Sequence, residues 1–174
     1  MAKEVRINIQ YYDSPCGRLF LASYADKLCL CDWRDNPFAE RNKRRLERYL
    51  KASFKTETTP VLEEAKRQLD EFFAGKRKAF DIQIRLAGTD FQQQVWNALL
   101  SIPYGATKSN KEIAQCIGKP KAVRAVAGAI GANGISILIP CHRVIGSNRS
   151  LTGYAGGLVA KRMLLGMETT EHKC

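Results

Sequence analysis

The first part of the chain has two hydrophobic patterns that follow each other. Apolar residues alternate with polar ones near the start, and again on both sides of a polar break over residues 23–27. Because the side chains of a β-strand point alternately to two faces, this period of two predicts a strand followed by a hairpin. Helical spacing then predicts two helices, the second beginning at Pro60 and ending at Gly75. The alternating residues are Val5, Ile7, Ile9, Leu19, Leu21, Leu28 and Leu30, and the other predicted elements are a helix over residues 41–50 and a strand over residues 79–84.

The second part of the chain has a mostly helical pattern. Thr89 or Asp90 is suited to cap one helix, and Ser109 is suited to cap the next. That second helix is expected to end at Gly118, and a third helix is expected over residues 121–130. Two helices separated by a short turn with a glycine have the outline of a helix-turn-helix. The pattern therefore predicts this motif, although helical hairpins that bind no DNA share the outline.

A buried strand is predicted after the helical region, over residues 135–139, where β-branched residues are frequent. Pro140 ends its ladder, so the thiol of Cys141 is expected at the end of a strand. The elements together predict an α/β chain of the α+β type. We expect a small sheet-and-helix domain over residues 1–84 and a mostly helical domain over residues 85–174. The first domain shows no constellation of catalytic side chains, so a supporting role is expected of it.

The composition is that of an ordinary globular protein. The 174 residues are 45% hydrophobic and 26% charged, which excludes disordered and collagen-like classes and allows one domain or two small ones. No apolar run approaches the ~18 residues that span a bilayer, and the N-terminus lacks the order of a signal peptide. We therefore expect an intracellular protein without a membrane partner, cytoplasmic or, in a eukaryote, nuclear. The six cysteines are expected as thiols, and with two histidines in the chain no metal site is expected.

The charge balance indicates a polyanionic partner. The formal net charge is +11, and over residues 91–150 a single acid, Glu112, stands against seven basic residues. Such a surface suits the phosphates of a nucleic acid, and a merely solvated basic face is the alternative. The helix predicted over residues 121–130 has small side chains on nearly every side except at Lys121 and Arg124. That composition favours a helix that approaches a nucleic-acid groove over a helix buried in a core.

Cys141 and His142 form the candidate chemical group of the chain. A thiol is a poor nucleophile until it loses its proton, and burial raises its pKa, so a reactive cysteine needs a base or a positive charge nearby. His142 is the nearest base, acting through a bend or a bridging water, and Glu168 on a late helix is the most plausible carboxylate to orient it. The alternative is an unreactive cysteine, because free cysteines are among the most buried residues of protein cores.

The heptapeptide IPCHRVI at residues 139–145 resembles the active-site signature of the O6-alkylguanine-DNA alkyltransferases. Further matches follow in the family's order: GKPKAVRAV at residues 118–126, Asn133, TGYAGG at residues 152–157 and the tail at residues 164–168. The strong resemblance covers about residues 91–168. The first domain is similar only in outline, through residues 13–17 at the opening of its hairpin.

The resemblance implies a ribonuclease H-like first domain and a winged-helix-like helix-turn-helix in the second. It implies a suicide repair protein that moves the alkyl group of O6-alkylguanine, and less readily that of O4-methylthymine, to its own cysteine without a cofactor. Here the acceptor would be Cys141, activated through water by His142, which Glu168 polarises. Asn133 would hold the turn after the recognition helix, and the hydroxyl of Tyr154 would protonate N3 of the leaving guanine.

The resemblance also implies how a monomer would hold DNA. The recognition helix would enter the minor groove of double-stranded DNA, and Arg124 would fill the gap left by the flipped base. Small side chains would allow the close approach. The residues implied to contact DNA are Arg124, Asn110, Lys121, Ala122, Ala125, Ala127 and Ser147, with Ala129 as a further small residue. The residues implied to line the pocket are Val144, Ala155, Gly156 and Ile130, and this small lining implies room for alkyl groups larger than methyl.

Asn110 departs from the family pattern, in which a tyrosine helps to rotate the phosphate 3′ of the lesion. Asparagine can hydrogen-bond a phosphate but has no ring to press on it, so slower base flipping or an altered lesion preference is expected. Three other readings stay open: a helix-turn-helix regulator, an alkyltransferase-like protein that binds lesions without repairing them, and a cysteine hydrolase. Such lesion sensors lack the cysteine that this chain retains, and a hydrolase would need an oxyanion hole and would turn over.

Overall fold

A four-stranded sheet occupies the first part of the chain in the computed structural model, which describes residues 5–148 and 150–170. The strands are β1 (Ile7–Ser14), β2 (Gly17–Tyr24), β3 (Lys27–Trp33) and β4 (Phe54–Thr56), in the order β3-β2-β1-β4. β2 is antiparallel to both of its neighbours, while β4 runs parallel to β1 at the edge. The predicted strand and hairpin are therefore confirmed, and the first hairpin turns between Ser14 and Gly17.

Two helices accompany this sheet, α1 (Ala39–Leu50) and α2 (Pro60–Phe73). The hydroxyl of Thr59 accepts a hydrogen bond from the Leu62 N–H at 3.3 Å, which satisfies one of the free donors at the start of α2. Apolar residues at helical spacing then turn one face of α2 into the core. Both predicted helices are confirmed, each with one end shifted by two residues, the start of α1 and the end of α2. The buried apolar residues of α2 are Leu62, Ala65, Leu69 and Phe72.

The second part of the chain contains α3 (Asp90–Leu100), α4 (Asn110–Cys116), α5 (Val123–Gly131) and α6 (Leu158–Thr170), with a two-stranded parallel sheet formed by β5 (Lys108–Ser109) and β6 (Val144–Ile145). Thr89 with Gln92 begins α3 and Ser109 with Glu112 begins α4, and both pairs form complete capping boxes. The predicted helix-turn-helix is thus present as α4 and α5. No helix of the described residues is long and apolar enough to cross a bilayer.

One continuous core joins the sheet to the helices of the second part. Leu19, Leu28 and Phe72 belong to the same buried cluster as Val95 of α3 and Val126 of α5. Burying apolar side chains of this size contributes about 1.5–3 kcal/mol each, so the shared core resists separation of the two parts. The position of β3 relative to the helix-turn-helix is therefore set by packing.

Residues 79–84 do not form the predicted strand. Only Ile84 makes an isolated bridge, to Leu28, while the side chain of Gln68 binds the main chain of Asp81. The amide oxygen of Gln68 accepts from the Asp81 N–H at 2.9 Å, and its NH2 group donates to the Asp81 carbonyl at 3.2 Å. This side chain replaces the ladder partners that a strand would supply, so the apolar run is held in an irregular path.

Residues 135–139 do not form the predicted strand either. Ile135 makes a single bridge with Cys31, and the next residues turn, with the backbone of Ile137 in the left-handed region at φ +73°. Short-range hydrogen bonds satisfy the main chain, from the Leu138 N–H to the Ser136 carbonyl and from the Ile139 N–H to the Ile135 carbonyl. The run is apolar because it is buried on all sides, and burial alone does not distinguish a turn from a strand.

Candidate active site

Cys141 begins a single 3-10 turn, Cys141–Arg143, rather than ending a strand as predicted. The turn closes through the Arg143 N–H, which donates to the Pro140 carbonyl at 3.0 Å, and β6 starts directly after it. A tight turn of this kind directs consecutive side chains away from one another. Cys141 and His142 therefore have different surroundings although they are adjacent in the chain.

A buried ion cluster lies on the His142 side of the turn. His142 Nε2 lies 2.7 Å from Glu168 Oε2, and Arg143 donates to the same carboxylate from Nε at 2.8 Å and from Nη2 at 3.0 Å. Arg143 also donates from Nη1 to the Ile102 carbonyl at 2.7 Å. Burial by itself raises the pKa of the Glu168 carboxyl, but the hydrogen bonds from His142 and Arg143 overcome this and hold the pKa well below its usual range. Glu168 is therefore an anion at neutral pH.

The bond to Glu168 determines which nitrogen of His142 can accept a proton. A neutral imidazole must carry its hydrogen on Nε2 to donate to the carboxylate, so Nδ1 is left as the acceptor. Burial lowers the pKa of His142, and the charges of Arg143 and Lys161 lower it further against the opposing effect of Glu168. Among the described residues, Nδ1 is buried and has no hydrogen-bond partner. His142 is thus a neutral base, and its bond to Glu168 leaves Nδ1 as the nitrogen that can accept a proton.

The Cys141 thiol itself is buried, and this burial raises its pKa. Asn133, Lys161 and Ser136 act in the opposite direction, because hydrogen bonds and a positive charge favour the thiolate. Lys161 was not among the site residues predicted from the sequence. Its ammonium donates to the Val144 carbonyl at 2.5 Å and to the Thr152 carbonyl at 3.2 Å. A lysine between apolar positions of α6 was the available signal, since lysine is seldom buried without partners.

Asn133 connects the end of α5 to the active-site turn. Its amide NH2 donates to the Ile139 carbonyl at 3.0 Å, and its oxygen accepts from the Ile135 N–H at 2.9 Å. The side chain is buried. A single amide therefore closes residues 133–139 into a loop and positions the start of the turn that carries Cys141.

Cys141 opens onto a cavity of about 430 Å³. Val144, Ala155 and Ile130 line it as predicted from the resemblance, and so do Tyr154 and Asn110. Gly156 does not line it. A Cβ at Gly156 would lie 2.6 Å from the Trp33 indole, so this glycine allows the loop to pack against β3. The other lining residues are Asn36, Pro37, Phe38, Ala127, Gly131, Cys141, Thr152, Gly153 and Lys161.

Tyr154 forms one wall of the cavity. Its hydroxyl accepts a hydrogen bond from Trp33 Nε1 at 3.3 Å, and the two rings meet edge to face with centroids 6.0 Å apart. Burial raises the pKa of the Tyr154 hydroxyl well above its usual value, and the nearby Cys141 reinforces the effect. The phenol therefore keeps its proton and can donate it inside the cavity.

The segment after β3 supplies a further part of the lining, which was not predicted from the sequence. Asp32 is buried and accepts hydrogen bonds from Asn36 Nδ2 and Asn42 Nδ2, each at 2.9 Å. These bonds fold back the segment of Asn36, Pro37 and Phe38 so that it borders the cavity. The first part of the chain therefore contributes directly to the site, beyond the supporting role expected for it.

The outer face of α5 is solvent-exposed and carries three of the implied DNA-contacting residues, while Lys121 and Ala122, expected within this helix, precede it. Arg124, Ala125 and Ala127 are exposed, as are Lys121 and Ser147, while Ala122 and Asn110 are partly buried. Ala129 is an exception, because it is buried and its carbonyl accepts from Trp96 Nε1 at 2.8 Å. A helix with small exposed side chains and one long arginine, beside a cavity with a buried thiol, defines a class of protein: a helix-turn-helix DNA-binding protein with a nucleophilic cysteine.

Comparison with known proteins gives the family. The model described as 6-O-methylguanine DNA methyltransferase, ribonuclease-like domain, matches residues 7–86, and the one described as the DNA binding domain of the same protein matches residues 90–170. The chain belongs to the 6-O-methylguanine DNA methyltransferase family.

Individual relatives are similar to this protein over nearly its whole chain. A methylated-DNA–protein-cysteine methyltransferase of Methanosarcina barkeri is 47% identical over 161 residues, covering 91% of this chain and 96% of that protein. The constitutive enzyme of that name from Bacillus subtilis is 42% identical, covering 95% of this chain and 99% of its own. The crystal structure of Mycobacterium tuberculosis OGT in complex with DNA is similar with a TM-score of 0.80 at 41% identity, covering 94% of this chain and 93% of that one.

Proposed function

We propose that this protein repairs DNA by transferring the alkyl group of O6-alkylguanine to Cys141, once per molecule and irreversibly. The arrangement of Cys141 carries the proposal: the thiol is buried, opens onto a cavity large enough for a flipped base, and is followed in the chain by a histidine held by Glu168. The relatives named methylated-DNA–protein-cysteine methyltransferase support the same reaction.

The reaction requires the Cys141 proton to leave and the alkyl carbon to be attacked. His142 Nδ1 takes the proton through a bridging water, and Glu168 stabilises the imidazolium that forms. The thiolate attacks the alkyl carbon, a C–S bond forms, and the C–O bond to guanine breaks. The electron pair of that bond passes into the purine ring, where Tyr154 donates its proton to N3. Because the resulting thioether is stable, no step regenerates the thiol.

DNA binding follows from the exposed face of α5. We propose that the helix lies in the minor groove of double-stranded DNA, where Ala125 and Ala127 allow close approach, and that one protein molecule binds one lesion. Arg124 occupies the space of the flipped base, and Lys121 and Ser147 contact the backbone. Flipping is required because the thiol at the floor of the cavity cannot reach a base within the stack.

We propose that the chain consists of two units, residues 1–84 and residues 85–174. The separate matches over residues 7–86 and 90–170 support this division. The first unit closes the cavity with Phe38 and its neighbours, and the second carries the nucleophile and the DNA-binding helix. Both units are required for a complete pocket.

The proposed reaction is tested by intact mass spectrometry after mixing the protein with excess duplex DNA that carries one O6-methylguanine. The expected result is a gain of one methyl group per molecule, located at Cys141 by peptide mapping. A protein that binds the lesion tightly without any gain in mass would recognise damage without repairing it. A protein that repeatedly removes the group without retaining it would be a hydrolase.

Replacing Asn110 by tyrosine is expected to speed repair. Asn110 is the first residue of α4 and lies at the cavity, where a tyrosine ring can press on the backbone next to the lesion and favour the flipped state. We expect a severalfold faster single-turnover rate with duplex substrate, measured by rapid quench. The rate with free O6-benzylguanine base is the control and should not change, because no flipping is needed. An unchanged or slower rate with duplex would contradict this role of position 110.

Adducts larger than methyl are expected to react. The cavity of about 430 Å³ is within the range of pockets that enclose small organic ligands, and Ala155 and Gly153 leave one side of it free of bulk. Duplexes carrying O6-benzylguanine should therefore be repaired at least as fast as those carrying O6-methylguanine. Replacing Ala155 by leucine should slow transfer from the benzyl substrate by a larger factor than transfer from the methyl substrate. Equal slowing of both would show that Ala155 does not contact the alkyl group.

A further inference from the structure

Helix α1 presents a row of arginines that the proposed reaction does not use. Arg41, Arg44, Arg45 and Arg48 are spaced at i, i+3, i+4 and i+7, so they share one face of the helix. The opposite face, with Leu46 and Leu50, is buried in the core. We refer to these four side chains as the arginine row. Arg41, Arg44 and Arg48 are exposed, and Arg45 is partly buried.

The position of the arginine row is known at two points. At one end, the Arg41 guanidinium lies 4.3 Å from the ring centroid of Phe38, which lines the cavity. In the middle, Arg45 Nη2 donates to the carbonyl of Ala132, the residue directly after α5, at 2.5 Å. The row therefore starts at the rim of the lesion pocket and runs past the end of the recognition helix, on the first unit of the chain.

The exposed charges of the arginine row form no ion pairs with acids among the described residues. Across residues 5–148 and 150–170, no carboxylate lies within ion-pair distance of Arg44 or Arg48, and Glu40 of the same helix pairs with Lys43 instead, at 3.5 Å. Burial lowers the pKa of Arg45 and the like charges of Arg41 and Arg48 lower it further, against the opposing effect of the buried Asp32. Crowded cations of this kind are stabilised by a polyanion laid along them.

The length of the arginine row fits one strand of a duplex. From Arg41 to Arg48 the helix rises about 10 Å at ~1.5 Å per residue. Each strand of DNA places a phosphate every ~3.4 Å along the axis, so the row matches about three successive phosphates. Arginine is the side chain best suited to such contacts, because its planar fork matches phosphate oxygens.

We propose that the arginine row of α1 is a second DNA-contacting surface, which binds backbone phosphates of the same duplex whose lesion enters the cavity. This inference rests on the proposed function for the identity of the partner. It assigns the first unit a role in binding substrate besides closing the pocket. Because these contacts would be to phosphates alone, they add affinity without sequence preference.

The salt dependence of DNA binding tests this surface. The variant carries Arg44→Gln and Arg48→Gln, which leaves Arg41 and Phe38 at the pocket unchanged. The plot of log K against log salt has a negative slope, and each lost phosphate contact makes it less steep by about 0.9. The slope of the double variant should therefore be less steep by about 2. Its affinity deficit relative to the unmodified protein should then shrink about tenfold between about 50 mM and about 200 mM salt. A lesion-free duplex is the probe, so the measured affinity does not depend on alkyl transfer.

A charge-matched control is available at the far end of the sheet. Lys27 begins β3 and Lys55 lies on β4 next to Asn8, whereas Trp33 at the other end of β3, about 20 Å away, contacts Tyr154. Lys27→Gln with Lys55→Gln should leave the salt slope nearly unchanged. Both double variants should react normally with free O6-benzylguanine. An unchanged slope for the arginine variant, or an equal loss in the lysine control, would overturn the proposal, whereas failure of every protein to react would count against the proposed function instead.

Discussion

Replacing Cys141 by alanine is expected to abolish alkyl transfer completely while lesion binding persists. The thiol lines the cavity and is the chain neighbour of a histidine oriented by Glu168, and without it no C–S bond can form. The exposed face of α5 that would contact DNA is not altered by the change. The measurement is intact mass after incubation with O6-methylguanine duplex, together with a binding titration on the same duplex.

An exposed cysteine provides the matched control for this prediction. Cys116 at the end of α4 is solvent-exposed, whereas Cys141 is buried. If alkylation were a matter of access, Cys116 would react first. We expect Cys116→Ala to accept one methyl group at the rate of the unmodified protein, because reactivity depends on the thiolate and its base rather than on exposure. A methyl group found on Cys116, or on any thiol of the Cys141→Ala variant, would refute the assignment of the acceptor.

Changing Glu168 to glutamine is expected to give the second-largest effect, on both rate and stability. The carboxylate selects the His142 tautomer with a free Nδ1, because it can only accept a hydrogen bond from Nε2. The amide of glutamine can instead present its NH2 group to Nε2, which favours the other tautomer. A positioned general base contributes about 10²–10⁴ in rate, so single-turnover transfer should slow about 10³-fold. Arg143 would also be left buried without its anion, which costs about 3–5 kcal/mol of unfolding free energy.

The pH dependence separates the catalytic from the structural part of this effect. A base is needed only while Cys141 is protonated, so the rate deficit of Glu168→Gln should shrink as the pH rises and the thiol ionises unaided. A purely structural loss would leave the ratio of the two rates constant. The measurement is the single-turnover rate across neutral and alkaline pH on protein shown to be folded by its far-UV spectrum.

The stability of the unmodified protein should depend on pH in the acid range. The lowered pKa of Glu168 means that the unfolded chain takes up a proton before the folded one does. Its stabilisation is therefore fully present above the ordinary glutamate pKa of about 4.3 and is lost as the pH falls through the folded value. In urea unfolding, Glu168→Gln should differ from the unmodified protein strongly at neutral pH and weakly in acid. Glu57→Gln, at an exposed residue of the first unit, should change the unfolding free energy by no more than about 0.5 kcal/mol at either pH.

Local patterns predicted the elements whose hydrogen bonds are also local. The helices α2, α3 and α4 are capped by Thr59, Thr89 and Ser109, whose side chains each accept a hydrogen bond from the backbone N–H three residues along the chain. The two predicted strands over residues 79–84 and 135–139 failed for the opposite reason. Their backbone groups are hydrogen-bonded by Gln68 in one case and by Asn133 and internal turns in the other. The apolar pattern of these segments does not indicate those hydrogen-bond partners.

The residues of the candidate reaction could be recognised in the amino-acid sequence. Cys141 and His142 are chain neighbours, the small-residue recognition helix is a continuous segment, and the motif that carries both is short enough to be recognised without a structure. The surroundings of these residues depend on the three-dimensional fold. It brings Phe38 and its neighbours to the cavity, buries Lys161 beside the thiol, and places the arginine row at the rim. These groups come from distant parts of the chain, and their approach is set by packing in a shared core that no local pattern describes.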